Sequence, residues 1–256
     1  MFSLAQALGT RTIRAVGALG KMMTFLAIAV ASAAVPPFRG RHVVKQVHFI
    51  GVRSVSVIVL TAAFTGMVLG LQGYYTLRKF GSEELLGSVV ALSLIRELGP
   101  VLSALMVTGR AGSALAAEIG IMRIGEQIDS LESMGIDPVK FLVSPRLLGA
   151  VVSVPLLTAI FDVVGIAGGY LVGVKLLGVS AGAYFGQMEA SVELGDVVSG
   201  FCKSIAFGLV IAWICTFKGY FTERGAEGVS RSTTSAVVLS SVVILIADYV
   251  LTSVLL

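Results

Sequence analysis

Five separate stretches of this chain, residues 55–77, 85–108, 147–177, 197–221 and 236–256, are each long and apolar enough to cross a lipid bilayer. A spanning helix needs about 20 mostly apolar residues. In hydrocarbon every backbone N–H and C=O must find its partner inside the segment, so such stretches are helices. The predicted fold class is therefore all-α, a polytopic integral membrane protein. Gly and Pro interrupt several of the stretches, which is ordinary in membrane helices. Only 13% of the 256 residues are charged and 56% are hydrophobic, against roughly 25% charged in a soluble domain, so most of the surface must face something other than water. No charged leader, short apolar core and small-residue cleavage site opens the chain, and no removable signal peptide is expected.

A sixth apolar stretch, residues 16–35, carries Lys21, follows Arg11 and Arg14 and ends in Pro36-Pro37, with Arg39, Arg41 and Lys45 beyond. Hydropathy reads it most simply as a span; a basic segment of this kind also suits an interfacial helix lying along the headgroups. Basic residues set the orientation. Arg39, Arg41, Lys45 and Arg53 precede the first clear span; Arg110, Arg123, Lys140 and Arg146 follow the second; Lys218, Arg224 and Arg231 follow the fourth. The alternate loops hold only Arg78 with Lys79, and Lys175. Five spans with a cytoplasmic N-terminus put all three basic groups inside and the C-terminus outside. The net charge of +4 is modest, and cations beside apolar segments suit anionic headgroups; no nucleic-acid partner is expected.

The connection over residues 109–146 is patterned. Leu115, Ile119 and Met122 form one apolar stripe, and Ile124, Ile128 and Leu131 another, with Gly120 and Gly125 near the shift and Glu118, Glu126, Asp129 and Glu132 on the polar side. The pattern predicts one or two short amphipathic helices, closed by Met134-Gly135-Ile136-Asp137-Pro138. Such a helix either lies on headgroups or docks into a partner's groove.

Charges inside the spans are the candidate site. Arg96-Glu97 falls near the middle of the second span, Lys203 in the fourth, and Asp162 and Asp248 in the third and fifth. A charge at mid-helix costs about 2.5–3.5 kcal/mol, so these residues must pair or line a wet cavity. Neighbours on a helix point about 100° apart, so Arg96 and Glu97 each need a partner on another segment, and Lys203 is the natural one for Glu97. Either an internal ion pair or a polar cavity receiving an anionic headgroup fits; Asp162 and Asp248 read as packing residues. Gly66 with Gly70, and Gly165 with Gly169 and Gly173, have the small-residue spacing that lets helices approach, read as packing within one chain. Cys202 and Cys215 have neither zinc nor disulfide spacing. A P-loop would need G-x-x-x-x-G-K-[ST]; Gly17-Ala18-Leu19-Gly20-Lys21-Met22 lacks both its first Gly and its hydroxyl. No H-E-x-x-H or G-x-S-x-G is present, and no catalytic residue or metal site is expected.

The run from Leu94 through Arg96-Glu97-Leu98-Gly99-Pro100 to Leu102, with Gly109-Arg110-Ala111-Gly112-Ser113-Ala114 and Ala117-Glu118-Ile119-Gly120, resembles the MlaE family of ABC permeases. Met122-Arg123-Ile124-Gly125-Glu126-Gln127-Ile128-Asp129, Gly66–Gly73 and Ser230-Arg231-Ser232-Thr233-Thr234 are similar too, so the resemblance covers almost the whole chain, a single permease domain over 1–256. It implies a homodimer in the bacterial inner membrane, with residues 1–50 as an interfacial elbow region, five spans, and a cytoplasmic coupling helix within 111–137. It also implies a separate cytoplasmic ABC ATPase that binds ATP and Mg, a periplasm-facing hexamer of MCE domains, often a small STAS-domain protein, and phospholipid as cargo; this chain itself holds no cofactor. By the resemblance, Glu118, Met122, Arg123, Glu126, Gln127 and Asp129 couple to the ATPase, and Arg96, Glu97, Lys203 and Leu69 surround the lipid cavity. Tyr74, Leu77 and Phe80 join them from helix position alone. Two other readings remain: a scaffold anchoring a periplasmic lipid-binding protein, and a membrane-embedded lipid enzyme with Glu97 as general base.

Overall fold

The structure, a computed structural model, describes the backbone of residues 2–34 and 40–255, with side chains from Thr12 onward apart from Arg14, Ala15 and Ala34. Arg11, Arg14, Val35, Pro36, Pro37 and Arg39 of the N-terminal reading thus lie outside the described side chains, and Leu256 lies outside the described residues.

The described residues contain no strand. Their helices are α1 (Phe2–Ala34), α2 (Gly40–Ile50), α3 (Val55–Arg78), α4 (Leu86–Ser93), α5 (Gly99–Val107), α6 (Ser113–Ile124), α7 (Gln127–Ser133), α8 (Ser144–Tyr170), α9 (Ala181–Ser191), α10 (Leu194–Tyr220) and α11 (Ala226–Leu255). Six helical runs among them are long and apolar enough to cross a membrane: Val16–Ala33, Gly40–Arg78, Glu83–Ile124, Val139–Leu176, Leu194–Tyr220 and Ala226–Leu255. The protein is a multi-pass helical membrane protein.

The second span departs most from its expected form. Helices α4, α5 and α6 join end to end through π-helical turns at Leu94–Leu98 and Thr108–Gly112, giving one rod of 42 residues. At about 1.5 Å per residue this is roughly 60 Å of helix against about 30 Å of hydrocarbon, so part of it projects beyond the bilayer. The expected loop over 109–146 is therefore helical from its start, and its first amphipathic helix, α6, continues the span. Leu115, Ala116, Ile119 and Gly120 are buried against other helices. The break comes where the stripes shift: Gly125 ends α6, Glu126 takes a left-handed φ of 55°, and α7 follows.

Three further starts differ by several residues. The runs that hold the first and third of the five expected spans begin at Gly40 and Val139 rather than 55 and 147, and α11 begins at Ala226, ten residues before the apolar stretch. Hydropathy undercounts α11 because its first turns are rich in hydroxyls, which a helix tolerates by bonding them to its own carbonyls. Thr233 Oγ1 donates to Val229 O at 2.7 Å and Thr234 Oγ1 to Ser230 O at 3.0 Å. Helix α9, in the connection between the third and fourth spans, had no apolar signal of its own; it is anchored by Tyr184, whose hydroxyl donates to Ile166 O at 3.1 Å, and by Ser88 Oγ to Gln187 O at 2.7 Å.

Helices α3 and α8 pack backbone to backbone. A Cβ placed on Gly66 would lie 1.8 Å from Gly165 O, and one on Gly70 would lie 3.0 Å from Gly169 O. The two small-residue rows seen in the sequence thus face each other within one chain, as spacing suggested. The bundle has two distinct ends. One gathers α6, α7, the start of α8, the end of α10 and the start of α11. The other gathers the start of α4, α9, the start of α10 and the end of α11. Described residues of helix α1 and their partners meet at the first end: Trp213 Nε1 donates to Met22 O at 2.8 Å, Phe25 meets Phe217, Tyr220 and Phe221, and Ser144 Oγ donates to Ala29 O at 3.2 Å. Its earlier residues Ile13, Val16 and Leu19 are exposed.

Candidate functional site

Toward the second end, three distant parts of the chain bring charge together. Pro100 has no N–H, so Arg96 O, four residues before it, loses its usual helical donor. Lys203, from the third turn of α10, supplies one: its Nζ donates to Arg96 O at 2.9 Å. The same ammonium donates to Thr252 Oγ1 at 2.7 Å and pairs with Glu97 Oε2 at 2.8 Å, with Asp248 Oδ1 at 3.3 Å. Thr252 and Asp248 stand one turn apart on α11, and Thr252 Oγ1 lies 3.2 Å from Glu97 Oε1. The pair Glu97–Lys203 that mid-span charge called for is thus present. Lys203 is 2% exposed at its side chain, and its three N–H donors are all engaged, as a buried ammonium requires.

Arg96 finds its own partner. Its Nε donates to Asp196 Oδ1 at 2.6 Å. Asp196 is held by a capping box at the start of α10: its Oδ2 accepts from Glu193 N at 3.0 Å while Glu193 caps the N–H of Asp196. A pocket of about 180 Å³ opens over this network, lined by Arg96, Glu97, Asp196, Ser199, Lys203 and Thr252, with Gly195 and Leu255 at its edge. Against the sealed Lys203, Arg96 and Glu97 are 40% and 38% exposed. The site can therefore present a cation and an anion to a polar group while its apolar surroundings exclude charge elsewhere.

Leu69, Tyr74, Leu77 and Phe80 do not line this pocket. Leu69, Tyr74 and Leu77 are half-buried against the core from α3, Tyr74 lies under the Arg78 guanidinium at 5.9 Å, and Phe80 is exposed. Asp196 and Thr252 were not singled out in the sequence, and Asp248 was read as a packing residue but belongs to the cluster. The Asp248/Thr252 spacing of four, which puts both on one helix face, was the available signal. Asp162 remains apart on α8; its Oδ1 is buried with no hydrogen-bond partner among the described residues and sits where a side chain on Gly99 would be.

The amphipathic segment gathers at the first end. Glu118 lies 3.0 Å from Arg146 Nη2, a side chain 5% exposed at the start of α8. Arg123 Nη1 bridges the α6–α7 break to Asp129 Oδ1 at 2.6 Å and lies over the Tyr220 ring. Met122 packs with Ile119, Ile128 and Leu142 in a small separate core. Arg123, Glu126 and Asp129 line a second pocket, of about 220 Å³, with Thr222, Glu223 and Arg224 from the α10–α11 connection. Gln127 is exposed beside them.

A bundle of membrane-length helices, with a charge-lined pocket toward one end and a polar helix pair at the other, is the architecture of a membrane permease. Comparison with known proteins agrees. The chain belongs to the MlaE permease family, whose profile, described as Permease MlaE, matches residues 43–254. It is 47% identical over 213 residues to the intermembrane phospholipid transport system permease protein MlaE of Haemophilus influenzae, covering 83% of this chain and 82% of that one. It is 44% identical over 252 residues to a probable ABC transporter permease protein of Rickettsia conorii, covering 98% and 97%. The chloroplastic protein TRIGALACTOSYLDIACYLGLYCEROL 1 of Arabidopsis thaliana is 38% identical over 213 residues, 83% of this chain and 61% of that one.

Proposed function

We propose that this chain is the permease subunit of an ATP-driven transporter that moves phospholipids between two membranes. The observation that carries the reading is the half-exposed Arg96–Glu97 pair at a pocket inside an otherwise apolar, membrane-length bundle. A phospholipid needs apolar walls for its acyl chains and charge for its headgroup, and bare hydrocarbon would reject the phosphate. The name of the Haemophilus relative, a phospholipid transport permease, supports the same cargo.

In this reading two copies enclose the cavity in an inner membrane, and the apolar surface of α3 around Leu69, Leu77 and Phe80 meets acyl chains. The N-terminus and the α6–α7 end face the cytoplasm, where α1 serves as an elbow; the contacts of Met22 and Ala29 at that end support this. A separate ATPase binds ATP and Mg and seats on residues 111–137. Its closure pushes on α6 and α7, and the continuous rod from Glu83 to Ile124 passes the push toward Arg96 and Glu97 as rigid-body movement. An MCE-domain hexamer, and a STAS-domain protein, complete the assembly on either side.

The test is to co-express the chain with its ATPase and MCE-domain partners, purify the assembly and identify extracted lipid by mass spectrometry. Stoichiometric phospholipid, reduced when Arg96→Ala is introduced into an assembly that still forms, is the expected result. An assembled complex holding no phospholipid would overturn the reading.

A further inference from the structure

The charge balance of the Arg96 pocket goes beyond phospholipid in general. Two cations, Arg96 and Lys203, stand against three carboxylates, Glu97, Asp196 and Asp248, all joined by contacts of 3.3 Å or less. With all five ionised the cluster carries one excess negative charge. The helix ends do not reverse this. The partial positive charge at the start of α10 is met by its capping box with the further carboxylate of Glu193, and the end of α11 at Leu255 adds partial negative charge. An anionic headgroup entering such a pocket meets net repulsion.

The two exposed groups differ in what they have to spare. Arg96 uses only Nε on Asp196, and its two terminal nitrogens make no hydrogen bond among the described residues. A guanidinium held in this way presents a planar pair of donors, the geometry that suits a phosphate. Glu97 gives Oε2 to Lys203 but keeps Oε1, shared only with Thr252 at 3.2 Å, toward the pocket. Lys203 has no donor left and is a positioning residue: it fixes the Glu97 carboxylate and the Arg96 backbone and does not itself reach a headgroup.

Resting on the phospholipid reading above, we infer that the pocket takes a zwitterionic headgroup, the Arg96 guanidinium holding the phosphate and the Glu97 carboxylate the ammonium of the same lipid. A zwitterion adds no net charge, its amine offsetting its own phosphate beside Glu97, whereas an anionic lipid would raise the excess from one negative charge to two.

The test uses the full transporter assembly reconstituted in nanodiscs of equal phosphatidylethanolamine and phosphatidylglycerol, re-extracted from the protein after removal of bulk lipid, and quantified by mass spectrometry. The wild type is expected to hold the ethanolamine lipid about tenfold over the anionic one, the order of discrimination one uncompensated charge provides where the groups that meet the headgroup are part-exposed and screened by water. Asp248→Asn removes the excess charge while Lys203 keeps Glu97 as partner, and should bring the ratio to within about twofold of one. Glu97→Gln should lose the preference while phospholipid is retained. Bound phospholipid matching the mixture, or enriched in phosphatidylglycerol, in the wild type would overturn the inference and leave the phospholipid reading standing. An assembled complex with no bound phospholipid would sink both. A preference unchanged in Asp248→Asn would also overturn the charge argument, and because that side chain is replaced by an isostere its folding is checked by assembly alone.

Discussion

Replacing Gly66 with Ala tests the closest contact in the bundle. The added Cβ would lie 1.8 Å from Gly165 O, and its next neighbours, at 2.6 and 2.8 Å, are Gly165 C and Cα. All three are backbone atoms, so no rotamer change relieves the clash. Real Cβ contacts do not fall below 3.0 Å, so α3 and α8 must part by about 1.2 Å at this level. Overpacking of this kind costs about 1–3 kcal/mol, and the upper half applies because a whole helix pair must shift; Ala's better helix propensity returns at most about 1 kcal/mol. The net expectation is roughly 2 kcal/mol, or a fall of about 4–8 °C in unfolding temperature for a chain of this size. A series sharpens it. Gly70→Ala, at 3.0 Å, should cost less, and Gly186→Ala on α9, with nothing within 4 Å, should cost nothing. Thermal unfolding of purified protein in detergent, followed by the monodisperse fraction on size exclusion, reads the order. If Gly66→Ala unfolds with Gly186→Ala, the backbone contact between α3 and α8 is not where it is described.

Three other outcomes follow from named contacts. Lys203→Met strands Glu97 and Asp248 without their cation and should cost about 3–5 kcal/mol, seen as loss of folded protein; adding Glu97→Gln and Asp248→Asn should recover much of it, and failure of that rescue would mean the cost is steric. Phe25→Ala removes the ring that sets α1 against Phe217, Tyr220 and Phe221, at about 3 kcal/mol, so a cysteine placed at the buried Met22 in a chain lacking Cys202 and Cys215 should label faster; equal labelling would detach Phe25 from the docking of α1. Arg123→Gln breaks a half-exposed pair worth less than about 1 kcal/mol, so stability should hold while lipid transport by the assembly falls; intact ATPase binding and transport would remove residues 111–137 from coupling.

Hydropathy, charge placement and small-residue spacing are local properties, and a bilayer makes them decisive, because the length and helical state of a span follow from hydrocarbon thickness and backbone satisfaction. Helices α3 and α10 were accordingly legible nearly to their ends in residues 55–77 and 197–221, as was the need of Glu97 for a cation on another segment. Two kinds of information were not local. Helix ends rich in hydroxyls, such as the start of α11, and the junction of α5 to α6 are polar by composition yet helical, because their polar groups bond to carbonyls or face other helices. The membership of the charge cluster depended on packing alone. Arg96, Asp196, Lys203, Asp248 and Thr252 come from three helical segments, and only their meeting decides that Lys203 is spent on its neighbours while Arg96 and Glu97 remain open to the pocket. That a charge inside a membrane must be paired is set by its desolvation energy; which charge is left available depends on where three helices put their faces.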